Sequence, residues 1–380
     1  METHHRICIG DAADMTQVAD QSVDLVVTSP PYPMIEMWDD LFRAADPAIA
    51  KALARCDADD AFQRMHAVLD KVWRELRRVM KPGALACINI GDATRTIDGD
   101  FQLFANHARI ITAFRQLGFG QLPTILWRKT TNAPNKFMGS GMLPAGAYVT
   151  LEHEYVLIFR LNGKRPFPND ALKAARRRSA FFWEERNEWF SDVWFDLTGT
   201  RQAMGNAKSR TRSGAFPLAL PYRLIQMFSV KEDLVLDPFL GTGTTLLAAM
   251  CSGRHCVGVE LDAAFKTVVL EQVADVPRMA NRLIETRLED HVRFIEDRIQ
   301  RKGPVRYTNR HYRFPVVTAQ EVDLVLDPVH HIQFVDSDRI KVIHSDPGIA
   351  PPRSEGAAPA TVEEPAPRRP GKKGRQLKLF

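Results

Sequence analysis

The sequence predicts an α/β protein whose sheet is largely parallel and covered on both faces. Three observations lead there. Short apolar runs alternate along the chain with longer segments of helical periodicity. The run Val23–Thr28 (VDLVVT) is almost continuously apolar, as expected of a strand buried on both sides. Two such runs end abruptly in turn chemistry, at Ser29-Pro30-Pro31-Tyr32 and at Pro238 to Gly243. Ligands of open α/β sheets bind beyond the carboxyl ends of strands, so these two ends are the places to look for function.

The elements follow in order. Ile7–Gly10 is short and apolar and runs into Asp11. After Val23–Thr28, residues 60–80 carry Phe62, Met65, Leu69, Val72, Leu76 and Val79 at helical spacing, stopped by Lys81-Pro82-Gly83. Ala84–Ile90 is the next strand, and Phe101–Leu117 reads as an amphipathic helix closed near Gly118. Thr124–Trp127 and Tyr155–Leu161 read as strands, and the 27 residues between them as a loop rich in Gly, Pro, Asn and Thr. A loop of that length in a compact domain points to function. Residues 162–212 break the alternation. Regular order resumes with a helix at Leu218–Val230, Pro221 lying in its first turn, then a strand at Leu234–Leu236, a helix at Thr244–Cys251 and a strand at His255–Leu261. Met279–Gln300 is a charged helix. Phe314–Val317, Val322–Leu326, Ile332–Val335 and Ile340–Ile343 suggest a small β appendage. From Asp346 onward Pro, Ala, Gly and charge dominate, and this tail is expected to be disordered.

Composition excludes several classes. With 45% hydrophobic and 26% charged residues, the 380-residue chain is neither fibrous nor disordered as a whole. No apolar run approaches the roughly 20 residues that span a bilayer. The start METHHRICIG gives no expectation of a secretory leader. Cys8, Cys56, Cys87, Cys251 and Cys256 form no C-x-x-C pair, so buried thiols in a reducing cytoplasm are expected, with no disulfide framework and no metal site. The net charge of +5 is unevenly spread: residues 160–212 hold 12 Lys+Arg against 6 Asp+Glu. Such a stretch can meet a polyanion, or can be a solvated face.

Leu234 to Thr245 (LVLDPFLGTGTT) reads as a strand, a glycine turn and a helix start. Glycines allow positive φ and close approach of a ligand to the backbone. Glu260 ends the following strand, where an acidic side chain can accept hydrogen bonds from a ribose diol. The G-x-G spacing lacks the third glycine of the dinucleotide fingerprint and the G-K-[ST] ending of a phosphate loop. The ligand then carries a ribose but needs no pyrophosphate cradle. S-adenosylmethionine fits, with a ribose, an ammonium for Asp237 and no phosphate. The bland reading is a structural turn capped by Thr244; Asp237, Phe239 and Glu260 together favour the cofactor.

At the other strand end, consecutive prolines fix the backbone and remove two N–H donors. The Thr28–Tyr32 loop then offers mainly acceptors, the Ser29 oxygen and nearby carbonyls. An exocyclic amine needs two acceptors, and engaging both of its protons aims the nitrogen lone pair at an electrophile. Tyr32 supplies an aromatic face for a base taken out of the helix. The same residues could equally form a rigid proline turn.

TSPPY at 28–32 followed by DPFLGTGTT at 237–245 resembles the signature motifs of the amino-group (N4-cytosine/N6-adenine) DNA methyltransferases, in the permuted β arrangement that places the catalytic motif first. Gly10-Asp11-Ala12, Leu76–Gly83 (LRRVMKPG), Ile88–Asp92 (INIGD), Trp127-Arg128-Lys129, His153-Glu154, Ala215-Phe216-Pro217 and Leu224-Ile225 extend the resemblance over roughly residues 6–270. It implies a Rossmann-like S-adenosylmethionine-dependent methyltransferase sheet, circularly permuted, with an inserted target-recognition region. Ser before Pro-Pro-Tyr is the variant typical of cytosine-N4 enzymes, whereas Asp or Asn is typical of adenine-N6 enzymes. Cytosine-C5 chemistry needs a nucleophilic cysteine, usually after proline, and no Pro-Cys dipeptide occurs.

The resemblance assigns roles. Ser29 and the Pro30 carbonyl would accept from the target amine, Pro31 would stiffen the loop and Tyr32 would stack on the flipped base. Asp237, Pro238, Phe239, Gly241, Gly243 and Thr244 would shape the cofactor site, Glu260 would hold the ribose, and Asp11 would lie near the adenine. The expected organisation is a catalytic half at 1–161, target recognition at 162–212, a cofactor half at 213–275, an appendage at 276–345 and a tail at 346–380. DNA contacts are expected from Arg176, Arg177, Arg178, Arg201, Lys208, Arg210 and Arg212. The aromatics Phe182, Trp189 and Trp194 are better read as core than as stacking platforms. The resulting expectation is a cytoplasmic, nucleoid-associated bacterial or phage enzyme acting on double-stranded DNA, with or without a cognate restriction endonuclease. The alternatives are an adenine-N6 enzyme, an RNA base-amine methyltransferase and a non-catalytic DNA-binding protein. Gln376, Leu377, Leu379 and Phe380 resemble the short Gln-Leu-x-Leu-Phe peptide by which bacterial replication and repair proteins bind the sliding clamp.

Overall fold

The computed structural model describes residues 1–129, 138–197 and 216–345. Its centre is one sheet whose main strands are β1 (Glu2–Ile9), β2 (Val23–Thr28), β3 (Met80–Ile90), β4 (Ile125–Arg128), β5 (His153–Leu161), β6 (Val193–Trp194), β7 (Leu234–Asp237), β8 (His255–Glu260), β9 (Val329–Phe334) and β10 (Arg339–His344). In space they run β6-β4-β5-β3-β2-β7-β8-β1-β10-β9, and Phe119–Gln121 pairs on β5. The five central strands, β3, β2, β7, β8 and β1, are mutually parallel. Antiparallel β5 closes one side, and the β9–β10 hairpin closes the other.

Every residue of β2 is buried, as its apolar run predicts. Its side chains divide between two layers. Val23 and Val26 join the core beneath helices Ala58–Val79 and Asn106–Gln116. Leu25 and Val27 join the core beneath helices Ala219–Phe228, Thr244–Cys251 and Val276–Lys302. The five cysteines are free, and only Cys56 is exposed.

Three expectations change. The helix read over Phe101–Leu117 is shorter, Asn106–Gln116, and a hairpin of Ala93–Ile97 with Asp100–Phe104 precedes it. Its turn is Asp98-Gly99, both at positive φ (50° and 78°), a two-residue hairpin signal the helical periodicity concealed. Val322–Leu326 is not a strand. Leu324 and Leu326 instead fill a small core with Phe182 and Ile284. Side chains take over the backbone pairing that a strand would have supplied: Asn309 Nδ2 donates to the Leu324 carbonyl at 2.9 Å, and the Leu326 N–H donates to the Tyr312 hydroxyl at 2.8 Å. The β9–β10 hairpin does not stand apart as an appendage: β10 pairs along β1 from Glu2↔Ile343 to Arg6↔Arg339 and so extends the main sheet. Phe182, Trp189 and Trp194 are buried, consistent with a core role.

Candidate active site

The two signature loops leave the carboxyl ends of adjacent parallel strands, β2 and β7. A side-chain bond ties them: Thr28 Oγ1 donates to Asp237 Oδ1 at 2.5 Å. The same carboxylate oxygen accepts the Phe239 N–H at 3.0 Å, which sets the turn of the glycine loop. Asp237 is only 2% exposed. It is enclosed between the loops rather than open to a ligand's ammonium, which corrects the direct contact expected from sequence. Burial raises its pKa to about 6, against the opposing hydrogen bonds from Thr28, Thr245 and the Phe239 N–H.

The raised pKa has a consequence for stability. The folded protein holds the Asp237 proton more tightly than the unfolded chain does. The stabilisation this gives is complete below about pH 4 and is lost as pH rises through about 6. Asp237→Asn keeps an acceptor for Thr28 and Phe239 but carries no charge. Its melting temperature, relative to the unaltered protein, should rise by a few degrees between about pH 4 and about pH 8. Calorimetry of the ligand-free proteins checks this; a difference independent of pH would remove the buried charge from the account.

The glycine loop is shaped by two positive-φ residues, Gly241 (52°) and Gly243 (83°). A Cβ on Gly243 would lie 2.8 Å from Val269 Cγ1, so the loop and helix Ala264–Val273 meet there only with glycine. The Leu240 N–H donates to the Val259 carbonyl at 2.9 Å, and helix Thr244–Cys251 follows directly. Pro238, Thr244 and Thr245 are buried, and Phe239 is half-buried. Glu260, at the end of β8, accepts the Gly241 N–H on Oε2 at 2.7 Å and the Asp262 N–H on Oε1 at 2.9 Å. Burial raises its pKa, opposed by those two N–H groups. Each carboxylate oxygen still has a lone pair to offer. Asp11 is exposed just beyond β1. Its neighbour Gly10 donates N–H to the Glu260 carbonyl at 2.9 Å, which sets Asp11 on the same rim.

On the loop after β2, Pro30 and Pro31 are buried while Ser29 and Tyr32 are half-buried. The loop is held from behind by Asn106, whose Nδ2 donates to the carbonyls of Pro33 (3.1 Å) and Gly91 (3.0 Å). The Tyr32 ring lies against Gly91, where a Cβ would come 3.0 Å from Cε2. The Tyr32 hydroxyl enters a polar cluster with Ser29, Asn89 and Glu154, and Lys129 pairs with the far side of Glu154. Sequence reasoning assigned no role to Asn89, Asn106, Lys129 or Glu154. One signal was present: Glu154 directly precedes the apolar run Tyr155–Leu161, and a carboxylate entering a buried strand requires partners.

The structure does not bring the arginine run to this site. Helix Asp170–Arg178 lies near the amino ends of the parallel strands. The Lys231 N–H, shortly before β7, donates to Ser179 Oγ at 2.9 Å. Arg165 pairs with Asp233, next to the start of β7. Arg177 pairs with Asp323 at 3.2 Å, Arg178 reaches Asp327 at 4.0 Å, and Arg176 lies over the Phe167 ring. These three arginines make contacts within the chain at the edge opposite the two loops, away from the site. Arg201, Lys208, Arg210, Arg212 and the clamp-like residues Gln376, Leu377, Leu379 and Phe380 lie outside the described residues.

A family model described as DNA methylase matches residues 23–271. The chain is 49% identical over 329 residues to the type II methyltransferase M.MthZI of Methanothermobacter thermautotrophicus, covering 86% of this chain and 91% of that protein. It is 48% identical over 283 residues to the type II methyltransferase M.MjaI of Methanocaldococcus jannaschii, covering 71% and 91% respectively. Among solved structures, the putative DNA modification methylase TTHA0409 of Thermus thermophilus, complexed with S-adenosyl-L-methionine, is similar with a TM-score of 0.56 and 33% identity, over 72% of this chain and 95% of that one. With both signature loops side by side on one sheet and a match over most of its length, the chain belongs to the N6/N4 amino-group family of DNA methylases.

Proposed function

We propose that this protein methylates the exocyclic N4 amine of cytosine in double-stranded DNA, using S-adenosylmethionine as donor. The observation that carries the reading is the placement of Ser29, on a proline-fixed loop at the end of β2, beside the glycine loop of β7 and tied to it through Thr28 and Asp237. Serine in that position is the variant typical of cytosine-N4 enzymes.

The residues fit the donor. Gly241 leaves the loop backbone open, Gly243 lets the loop pack on Val269, Glu260 keeps acceptor capacity for a ribose diol, exposed Asp11 would border the adenine end, and the Phe239 ring would shape the wall. When bound, S-adenosylmethionine supplies a methyl group on a cationic sulfur: the amine nitrogen forms the new N–C bond, the C–S pair returns to sulfur, and the surplus proton on nitrogen leaves to water. Ser29 Oγ and the Pro30 carbonyl accept from the two amine protons, which draws the nitrogen lone pair out of conjugation and aligns it for in-line attack. Tyr32 offers its ring to the extruded base.

The test is mass spectrometry of nucleosides from a host expressing the protein. N4-methylcytosine in DNA is the expected product. N6-methyladenine instead would overturn the cytosine assignment while leaving the family intact, and methylation confined to RNA would replace the DNA substrate. Among the described residues no helix is long and apolar enough to cross a membrane.

A further inference from the structure

Serine presents a chemical difficulty at this position. A carboxylate is a pure acceptor, but a hydroxyl carries one proton of its own. If that proton faced the target amine it would oppose the amine N–H groups, or donate to the lone pair that must attack. The hydroxyl works as an acceptor only if its proton is held elsewhere.

The surroundings of Ser29 meet this requirement. Ser29 Oγ lies 3.1 Å from the Tyr32 hydroxyl, which lies 3.1 Å from Glu154 Oε2. Glu154 is 9% exposed and Asn89 is 2% exposed. Asn89 Nδ2 donates to Glu154 Oε2 at 2.6 Å and to the Tyr32 oxygen at 3.0 Å. The reverse amide orientation would set the Asn89 carbonyl against the carboxylate, so the donor assignment follows from charge. Lys129 Nζ holds the other oxygen of Glu154. A carboxylate whose two oxygens already accept from Lys129 and Asn89 acts as an acceptor, so it fixes the direction of the chain: Tyr32 donates to Glu154, and the Tyr32 oxygen is left to receive the Ser29 proton. Burial, and then the charge of Glu154, raise the Tyr32 phenol well above its ordinary range, which keeps the proton on Tyr32 that the chain needs.

We propose that Glu154 and Tyr32 are positioning residues that turn the Ser29 proton away from the target amine and so make this serine a pure acceptor. The proposal rests on amine methylation as the reaction. It gives Tyr32 a second duty, independent of its ring face, and gives Glu154 a role in the chemistry without contact with the substrate. Asn89 and Lys129 hold Glu154 in place.

The experiment compares the full chain with Tyr32→Phe, Glu154→Leu and the double variant. Phenylalanine keeps the stacking ring, and leucine fills the volume of the glutamate. Methyl transfer from tritiated S-adenosylmethionine to PCR-amplified host genomic DNA gives kcat and the DNA KM; calorimetry gives donor affinity and melting temperature. One oriented hydrogen bond should be worth about 10-fold in kcat. Each single variant should show that loss with donor affinity and DNA KM within about twofold of the unaltered chain. The double variant should be no slower than the worse single one, because both act on one proton. Wild-type kcat in Tyr32→Phe, losses that multiply in the double variant, or a loss carried by KM or by melting temperature would each overturn the proposal. An unaltered chain that methylates no DNA base in the same assay would instead overturn the reaction beneath it.

Discussion

Ser29→Ala should lower methyl transfer about 10²-fold or more while leaving S-adenosylmethionine affinity within about twofold. The magnitude follows from what is removed. The Ser29 oxygen is the side-chain acceptor on a loop whose next two residues are prolines without N–H groups. Without it one amine proton has no partner, and the nitrogen pair remains delocalised into the ring. The loop itself should persist. Its position depends on Asn106 bonding the Pro33 and Gly91 carbonyls, on buried Pro30 and Pro31, and on the Thr28–Asp237 tie, none of which involves the Ser29 side chain. Single-turnover methylation with saturating donor, read beside a calorimetric donor titration, separates the two quantities. A variant that retains most of the rate would remove Ser29 from the chemistry and leave the backbone carbonyls as the acceptors. A variant that loses donor binding in step would show that the two loops fail together.

The parts of this architecture that were legible in the sequence are those set by local chemistry. Val23–Thr28 reads as a strand buried on both faces because it is almost continuously apolar, and it is one. Thr244–Cys251 follows a glycine turn and is a helix with those bounds. Asp98-Gly99 carried a hairpin signal that was overridden by the apolar spacing of the residues after it. The β9–β10 hairpin could be seen as strands, but its attachment to β1 pairs strands more than 330 residues apart, and no local pattern records that.

The site divides in the same way. Ser29, Tyr32, the two glycines and Glu260 sit in short motifs whose spacing is itself the signal. Glu154, Asn89, Lys129 and Asn106 reach the Ser29–Tyr32 loop from other strands and a helix, and only the fold brings them there. The arginine run is not placed by local pattern either. Three adjacent arginines resemble a polyanion footprint, yet Arg177 and Arg178 face acidic residues from the C-terminal region, at the amino ends of the strands. Charge density in sequence does not say which edge of the sheet it will occupy.

Glu260→Ala should weaken S-adenosylmethionine binding roughly 10- to 150-fold without loss of fold, on the usual worth of about 1.5–3 kcal/mol for a charge-assisted hydrogen bond. The geometry explains why the upper part of that range is the better expectation. The carboxylate holds the glycine loop by accepting the Gly241 N–H and caps the chain beyond β8 by accepting the Asp262 N–H. Its remaining lone pairs are those available to a ribose diol. Alanine therefore removes a ligand acceptor and releases the Gly241 N–H at once. Glu260→Gln separates these effects, since its amide oxygen can keep the bond to Gly241 while its NH2 cannot accept from the ribose or from Asp262. Calorimetric titration should rank affinity as unaltered chain, then Gln, then Ala. The half-buried position of Glu260 at a strand end, with the core on either side undisturbed, keeps the melting temperature within a few degrees in both variants. Equal affinity in all three proteins would remove Glu260 from the donor site and return it to the role of a loop tether.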